Sequence, residues 1–242
     1  MSTANSWVGP GEFIRAFGAL GKLAQDPNRT EYVGDFIGLL TGPSAGRLYR
    51  RFWNDPVGRR LLEERKDLRA TLSDLEYLSS LPAGSFGRAY LEWAHSRSFS
   101  ADGIADAISH QVGREIESPY ATMAARVVDM HDLWHVLNGW DSDVGGEVHL
   151  LGYSYAQLGA WAWLALGAMA SLALAASGRF EGVGYLRDSI RRGRKAPLLV
   201  AVDWEALLPL PLEEVRRQLG IDEPTPYRKV HLDALQNRKG KT

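Results

Sequence analysis

The sequence predicts an all-α protein that folds as a single compact helical domain, and three observations support this. No stretch alternates polar and apolar residues with a period of two, as half-buried strands do. Segments with helical spacing are separated by Pro, Gly and Asn. The length of 242 residues suits one domain. We place it at residues 11–222, built around a central long apolar helix, with flexible termini at 1–10 and 231–242.

The composition and the N-terminal segment limit the classes of function, the kinds of reactive group and the cellular compartment that we expect for this protein. Apolar residues make up 45% and the formal net charge is −1, so no basic excess favours nucleic-acid binding. There are no cysteines, which excludes disulfides, thiolate metal sites and thiol nucleophiles. The N-terminus has neither a basic start nor an apolar run, and Glu12 precedes its first Arg. We therefore expect a cytoplasmic bacterial protein.

Two helices are predicted from local start signals. The first starts at Asp55-Pro56, where Asp can accept from free backbone N–H groups and Pro occupies the first helical position. The second follows the turn at 82–85. The apolar face of the first contains Val57, Leu61, Leu62 and Leu68, and that of the second contains Phe86, Tyr90 and Trp93.

The most informative predicted helix starts at Ser118-Pro119 and stops at Asn138-Gly139, in keeping with the cap preferences of helices. Its inward stripe follows steps of three and four, which places two histidines on the apolar face. Other residues of the helix, Arg126, Asp129 and Leu133, point away from this stripe. The stripe consists of Ala124, Val127, Val128, His131, Trp134 and His135.

The stretch from Val148 to Ser177 contains no Asp, Glu, Lys or Arg. It is long enough to cross a bilayer. Its many Ala, Gly and polar residues favour a central buried helix over a membrane-contacting one, and the small residues would allow close helix packing. The basic cluster that follows favours a solvated face, with contact to anionic lipid head groups as the alternative. That cluster comprises Arg187, Arg191, Arg192, Arg194 and Lys195.

Residues 131–150, HDLWHVLNGWDSDVGGEVHL, predict a site for one divalent metal. His131 and His135 are four apart, so both imidazoles can reach one ion. Glu147 lies twelve residues later, after the breakers at 138–139 and 145–146 that let the chain turn back. Two histidines and one carboxylate leave coordination positions open, as in reactive sites. Zn, Fe, Mn and Co all suit such ligands.

Asp132 is predicted to be either a fourth ligand or an outer acceptor for an imidazole N–H. Ligation is favoured, because Asp132 also lies three residues before His135. The alternative for the whole motif is a pair of hydrogen-bonded core histidines, but burying so many titratable groups without a counter-charge is costly. Asp141 and Asp143 are expected to cap or line the turn. The remaining histidines, His95, His110, His149 and His231, are assigned no chemistry.

The pattern His-Asp-x-x-His, eleven residues and Glu resembles the hallmark of the coenzyme Q biosynthesis protein four family. Three further segments extend the resemblance over about residues 11–222; only the Ala-, Gly- and Trp-rich helix after Glu147 departs from it. The resemblance implies an all-α fold, a role in ubiquinone biosynthesis and a peripheral position on the inner membrane face. The segments are DPVGRRLLEERKDL at 55–68, LPAGSFGRAYLEWAHS at 81–96 and VDWEALLPLPLEEVRRQLGI at 202–221.

Two roles follow from the resemblance. In the first, the protein removes the ring carboxylate of a polyprenylated hydroxybenzoate-type substrate and hydroxylates that carbon, with Glu147 and Asp132 as catalytic residues and the metal polarising a ring oxygen. The helix from Leu158 to Ala176 would then line the cleft for the isoprenoid tail. In the second, the protein is a non-catalytic organiser that gathers other ubiquinone-biosynthesis enzymes. Either role allows a homodimer.

A third role, from another class, is a metallohydrolase, because zinc peptidases also use His-x-x-x-His with a distant Glu. Those enzymes carry a general-base Glu directly after the first His. Here that position is Asp132, which is one carbon shorter, so hydrolysis is disfavoured.

Overall fold

The computed structural model describes residues 44–97 and 119–230, and this part of the chain is helical without a β-sheet. The predicted all-α class is confirmed. The predicted flexible termini lie outside the described residues. The helices are α1 (residues 44–54), α2 (Pro56–Glu63), α3 (Leu68–Ser73), α4 (Leu75–Ser80), α5 (Phe86–Arg97), α6 (Pro119–Asn138), α7 (Val144–Leu158), α8 (Trp161–Ala176), α9 (Gly182–Lys195), α10 (Trp204–Leu207) and α11 (Leu212–Gln218).

Helix α2 starts where the sequence predicts but ends earlier. The Asp55 carboxylate accepts hydrogen bonds from the N–H groups of Val57 and Gly58 at 2.9 and 3.0 Å, which satisfies two free donors at the helix start. Arg65 then adopts a positive φ of 51° and separates α2 from α3. Leu61 is fully buried, but Val57 is exposed, so the predicted apolar face is only partly correct.

Helix α6 has the predicted limits, and Gly139 follows it with φ 69°, the left-handed conformation common after helix ends. Buried residues of α6 extend around more of the helix than the single apolar stripe that the sequence predicts. Leu133 is fully buried and Arg126 is 1% exposed. Asp129 pairs with Arg69 at 2.7 Å. The faces expected to point away from the apolar stripe thus also pack against the protein, because α6 lies among helices on several sides.

The predicted long apolar helix is divided in two. Gly159 has φ 68°, so α7 ends at Leu158 and α8 begins at Trp161. Helix α8 is not central, since Trp161 and Leu172 are 59% and 68% exposed. Among residues 44–97 and 119–230, no helix combines the length and apolar character needed to cross a membrane.

Small residues bring α7 and α9 together, as expected. A Cβ on Gly152 would lie 2.2 Å from the Ser189 hydroxyl oxygen, and one on Gly193 would lie 3.0 Å from the Tyr153 carbonyl oxygen. The Gln157 amide fills the remaining space by donating to the Gly193 carbonyl at 2.7 Å. This pairing holds α7, which contributes the acidic residue of the predicted site, against the rest of the protein.

Candidate metal centre

The structure brings His131, His135 and Glu147 together. One turn of α6 separates the two histidines, and Glu147 comes from the first turn of α7. The Nε2 atom of His135 lies 3.3 Å from Glu147 Oε1, and that of His131 lies 4.0 Å from Oε2. One potential ligand atom from each residue falls within 4.8 Å of the other two. Small side-chain rotations would bring three donors at this separation onto a common ion at bond lengths of about 2.0–2.2 Å.

His135 forms the buried floor of this triad. It is fully buried, and neither ring nitrogen makes a hydrogen bond to any residue that the structure describes. The ring stacks on Trp93 of α5, with centroids 5.1 Å apart and an interplanar angle of 25°. A buried polar group without a partner costs on the order of 1–3 kcal/mol. The donor chemistry therefore fits a divalent ion, which would satisfy the nitrogen that faces Glu147.

Asp132 lies on the outer side of His131. Its Oδ1 is 3.1 Å from the Nδ1 of His131, whereas the Nε2 of the same ring faces Glu147. An acceptor in this position favours the tautomer with the proton on Nδ1 and the lone pair on Nε2. Asp132 does not belong to the converging group of three. Asp132 therefore contacts the His131 ring and does not converge with the other three residues.

The triad opens toward solvent on one side. The His131 and Glu147 side chains are 25% and 33% exposed, compared with 0% for His135. A small molecule can therefore approach from the side of His131 and Glu147, while His135 and Trp93 close the opposite side.

The turn between the two helices contains Asp141 and Asp143, as expected. The Asp143 carboxylate caps α7 by accepting from the Gly145 N–H at 2.9 Å. Burial alone would raise the pKa of Asp141, but hydrogen bonds from Lys229 and the Ser142 N–H outweigh it and lower the pKa.

Sequence reasoning missed two aromatic residues that shape this region. Trp93 was predicted only as an apolar residue of its helix, yet it stacks on His135. Tyr227 reaches the turn from 84 positions later and hydrogen-bonds Asp143, a contact without any local signal. Of the histidines assigned no chemistry, His149 lies between the Trp140 and Tyr185 rings and burial lowers its pKa; His110 and His231 lie outside the described residues.

The fold and the site define an all-α protein with two histidines and one carboxylate arranged around an open position. The chain belongs to the family described as coenzyme Q (ubiquinone) biosynthesis protein Coq4, whose sequence model matches residues 13–225.

Similar proteins come from fungi and a cyanobacterium. The chain is 28% identical over 207 residues to the mitochondrial ubiquinone biosynthesis protein COQ4 of Meyerozyma guilliermondii, covering 84% of this chain and 64% of that protein. It is 29% identical to the protein of the same name from Yarrowia lipolytica, covering 85% and 79%. The match thus spans slightly less than two thirds of the first relative.

The fold resembles that of a crystal structure of a candidate ubiquinone biosynthesis protein from Nostoc punctiforme. The TM-score is 0.65 with 20% sequence identity, and the match covers 88% of this chain and 97% of that one. At this identity the likeness concerns the fold.

Proposed function

We propose that this protein acts in ubiquinone biosynthesis as a metal-dependent enzyme, with one divalent ion held by His131, His135 and Glu147. Membership of the family supports the pathway. The main support for the metal is the fully buried His135 ring, whose two nitrogens have no hydrogen-bond partner within residues 44–97 and 119–230, although Glu147 Oε1 lies 3.3 Å from its Nε2. Zn, Fe, Mn and Co all suit this ligand set.

The reaction proposed is oxidative decarboxylation of a polyprenylated hydroxybenzoate-type ring. The bond from the ring to the carboxyl carbon breaks, carbon dioxide leaves, and a ring C–OH bond forms at the same carbon. If dioxygen supplies the hydroxyl oxygen, its second atom becomes water and requires two electrons and two protons from an added reductant. The bound ion would supply Lewis-acid polarisation of a ring oxygen and, if redox-active, electron transfer to dioxygen.

The position of each residue around the triad determines the role proposed for it in the reaction. His135 and Trp93 close the buried side, so the ring approaches beside Glu147 and His131, which reach solvent. Asp132 holds His131 through Nδ1 and keeps its Nε2 free of a proton. Glu147 would contribute a negative charge to the ion, and its partly exposed carboxylate is proposed to exchange a proton with the hydroxyl of the ring.

The isoprenoid tail is proposed to lie along the apolar surface of α8. Residues 161–176 carry no charged side chain, and Trp161 and Leu172 expose large apolar surfaces. Each buried CH₂ group contributes about 0.8 kcal/mol, so a tail of several isoprene units would supply most of the affinity while the triad selects the head group.

The deciding experiment is turnover by the reconstituted full-length protein. It is loaded separately with Zn, Fe, Mn and Co, then supplied with dioxygen, a reductant and a prenylated 4-hydroxybenzoate. The expected products are carbon dioxide and a ring hydroxylated where the carboxylate had been. Glu147→Ala should abolish turnover yet retain tail binding, since burial of the tail is separate from chemistry at the ring. Glu63→Ala, at an exposed position of α2, should behave like wild type.

Two other functions are separated by the same experiment. Absence of turnover with every metal, together with quinone synthesis in cells that depends on association with other biosynthetic enzymes, would favour the non-catalytic organiser. Cleavage of peptides by the metal-loaded protein would instead favour the metallohydrolase.

A peripheral attachment to the inner membrane face is proposed for the end of α8 and the start of α9. Phe180 and Val183 are 76% and 65% exposed, and Arg187 and Arg194 are exposed further along α9. Apolar side chains next to basic ones suit an anionic bilayer surface. The double variant Phe180→Ser/Val183→Ser should show a smaller fraction of protein co-sedimenting with vesicles of phosphatidylglycerol and phosphatidylcholine than wild type. Equal fractions for the variant and wild type would exclude this face as the attachment site.

A further inference from the structure

The last described residues cross the turn that joins the two helices of the triad. Residues 222–230, here called the strap, form no helix. The Val144 N–H donates to the Val230 carbonyl at 2.9 Å, and the Val230 N–H donates to the Asp143 carboxylate at 2.7 Å. The strap is thus paired with the residues directly before and at the start of α7.

Tyr227 makes the central contact of the strap. Its hydroxyl donates to Asp143 Oδ2 at 2.5 Å and accepts from the Asp141 N–H at 2.8 Å. Burial and the neighbouring Asp143 carboxylate raise the pKa of Tyr227, so the hydroxyl remains a donor at neutral pH. Because Asp143 Oδ1 also accepts from Gly145 and Val230, the N-cap carboxylate of α7 is fixed through both oxygens.

The glycines before Glu147 allow the strap to approach. Both Gly145 and Gly146 are helical, contrary to their predicted role as breakers. A Cβ on Gly146 would lie 1.8 Å from the Asp141 carbonyl oxygen and 2.9 Å from the Tyr227 hydroxyl oxygen. A Cβ on Gly145 would lie 3.1 Å from the Arg228 carbonyl oxygen. A side chain at position 146 would collide with the turn at Asp141 and crowd the Tyr227 hydroxyl, and one at position 145 would crowd the backbone of the strap.

Arg192 and Tyr185 of α9 anchor the strap elsewhere. The Arg192 guanidinium donates to the Glu223 carbonyl at 3.1 Å and also to the Thr225 hydroxyl. The Arg228 N–H donates to the Tyr185 hydroxyl at 3.1 Å. The strap is therefore held to α9, and Tyr227 connects this anchored segment to α7.

We propose that Tyr227 is a positioning residue for the metal site, acting through Asp143 on Glu147. The backbone provides the connection, because the Glu147 N–H donates to the Asp143 carbonyl at 2.9 Å in the first turn of α7. With Asp143 held by the strap, this turn presents Glu147 to the two histidines. The inference rests on the proposed function, since the position of Glu147 matters in this way only if the triad binds an ion.

The test measures Co²⁺ affinity of the metal-free full-length protein by titration of the visible absorption bands, with Zn²⁺ competition. Tyr227→Phe removes only the hydroxyl. We expect its dissociation constant to rise roughly tenfold, the lower end of the range for residues that orient ligands, with altered Co²⁺ band intensities. Tyr155→Phe is the matched control, because it removes a hydroxyl in the last turn of α7, where Tyr155 packs against Trp161 and not against the strap; its affinity and spectrum should match wild type.

A second variant distinguishes a specific effect on the metal site from a general loss of folding. Asp143→Asn retains an acceptor for Gly145 and Val230 but removes the charged acceptor of the Tyr227 hydroxyl. Its affinity should fall similarly, and the double variant with Tyr227→Phe should be no weaker than either single variant.

Three outcomes overturn the inference in distinguishable ways. Absence of Co²⁺ and Zn²⁺ binding by wild type overturns the proposed metal site and the inference with it. Equal affinity and spectra for wild type and Tyr227→Phe overturn the inference alone. Loss of helical structure in both Tyr227→Phe and Asp143→Asn would assign the strap a general role in stability and likewise reject a specific positioning role.

Discussion

The two helices that meet at the triad are held in place by different means. Helix α6, with both histidines, is tied to the core, because the buried Arg126 guanidinium donates to the Glu205 carboxylate at 2.7 and 3.0 Å. At its C-terminus the Arg216 guanidinium donates to the Leu137 carbonyl at 2.8 Å. The start of α7 is held instead by the strap, through Asp143 and Tyr227.

This difference separates the stability of the fold from the geometry of the site. Changes that loosen α6 must disturb the core, because the histidines and the core residues share one helix. Changes at the strap can shift Glu147 while the core remains packed. If these two kinds of support are independent, a substitution that affects one should leave the other unchanged.

His135→Ala is expected to abolish metal binding, because it removes one of three ligands and the one at the buried floor. Metal content, measured after purification without chelators or nickel resin, should fall from about one ion per chain to background. His95→Ala, at an exposed position of α5, should retain wild-type content. Full occupancy in His135→Ala would contradict the assignment of the triad.

Arg126→Met should destabilise the fold by about 3 kcal/mol, because it leaves the Glu205 carboxylate, whose side chain is only 12% exposed, without its partner. Urea unfolding at neutral pH measures this loss. Changing Glu205→Leu as well should restore much of the stability by removing the unpaired charge. A loss below about 1 kcal/mol, the usual value of an exposed pair, would show that this pair does not anchor α6.

The same contrast explains what the sequence could predict. Periodicity and caps are local, so they gave the limits of α6 from Pro119 to Asn138 and placed His131 and His135 on one side. The spacing to Glu147 allowed the chain to return, and the structure brings the three residues together. Local signals also identified the capping role of Asp143.

The wrong predictions concern segments whose structure or environment depends on more than the local sequence. A charge-free stretch suggested one central helix, but the left-handed Gly159 divides it, and apolar composition alone does not distinguish a buried helix from α8 with its exposed side. Gly145 and Gly146 resembled breakers, yet they are helical, and the nearby turn at Asp141 together with residues more than 80 positions later leaves little room for side chains there. Tyr227 offered no pattern linking it to the turn.

Substitutions at Asp132 test its role as an outer acceptor. Asp132→Asn keeps an oxygen for the His131 N–H and should weaken metal binding only a few-fold, whereas Asp132→Ala should weaken it roughly 10- to 100-fold. Competition with a chromophoric zinc chelator measures both. Equal, near-complete loss in the two variants would instead indicate that Asp132 is a ligand, as the sequence favoured.

Lys229→Met should have the smallest effect, although it lies in the strap and its Nζ is 2.6 Å from Asp141 Oδ2. The two side chains are 57% and 34% exposed, so solvent screens the pair and its loss should cost less than about 1 kcal/mol. Since the folded protein lowers the pKa of Asp141, this contribution is present at neutral pH and is lost as the pH falls through the range below about 4. The difference in urea stability between wild type and Lys229→Met should therefore shrink in acid and in high salt.

Metal affinity of Lys229→Met should remain within about threefold of wild type, because the Tyr227–Asp143 hydrogen bond is intact. A loss of affinity as large as that of Tyr227→Phe would mean that the whole strap, rather than its buried hydroxyl, sets the position of Glu147.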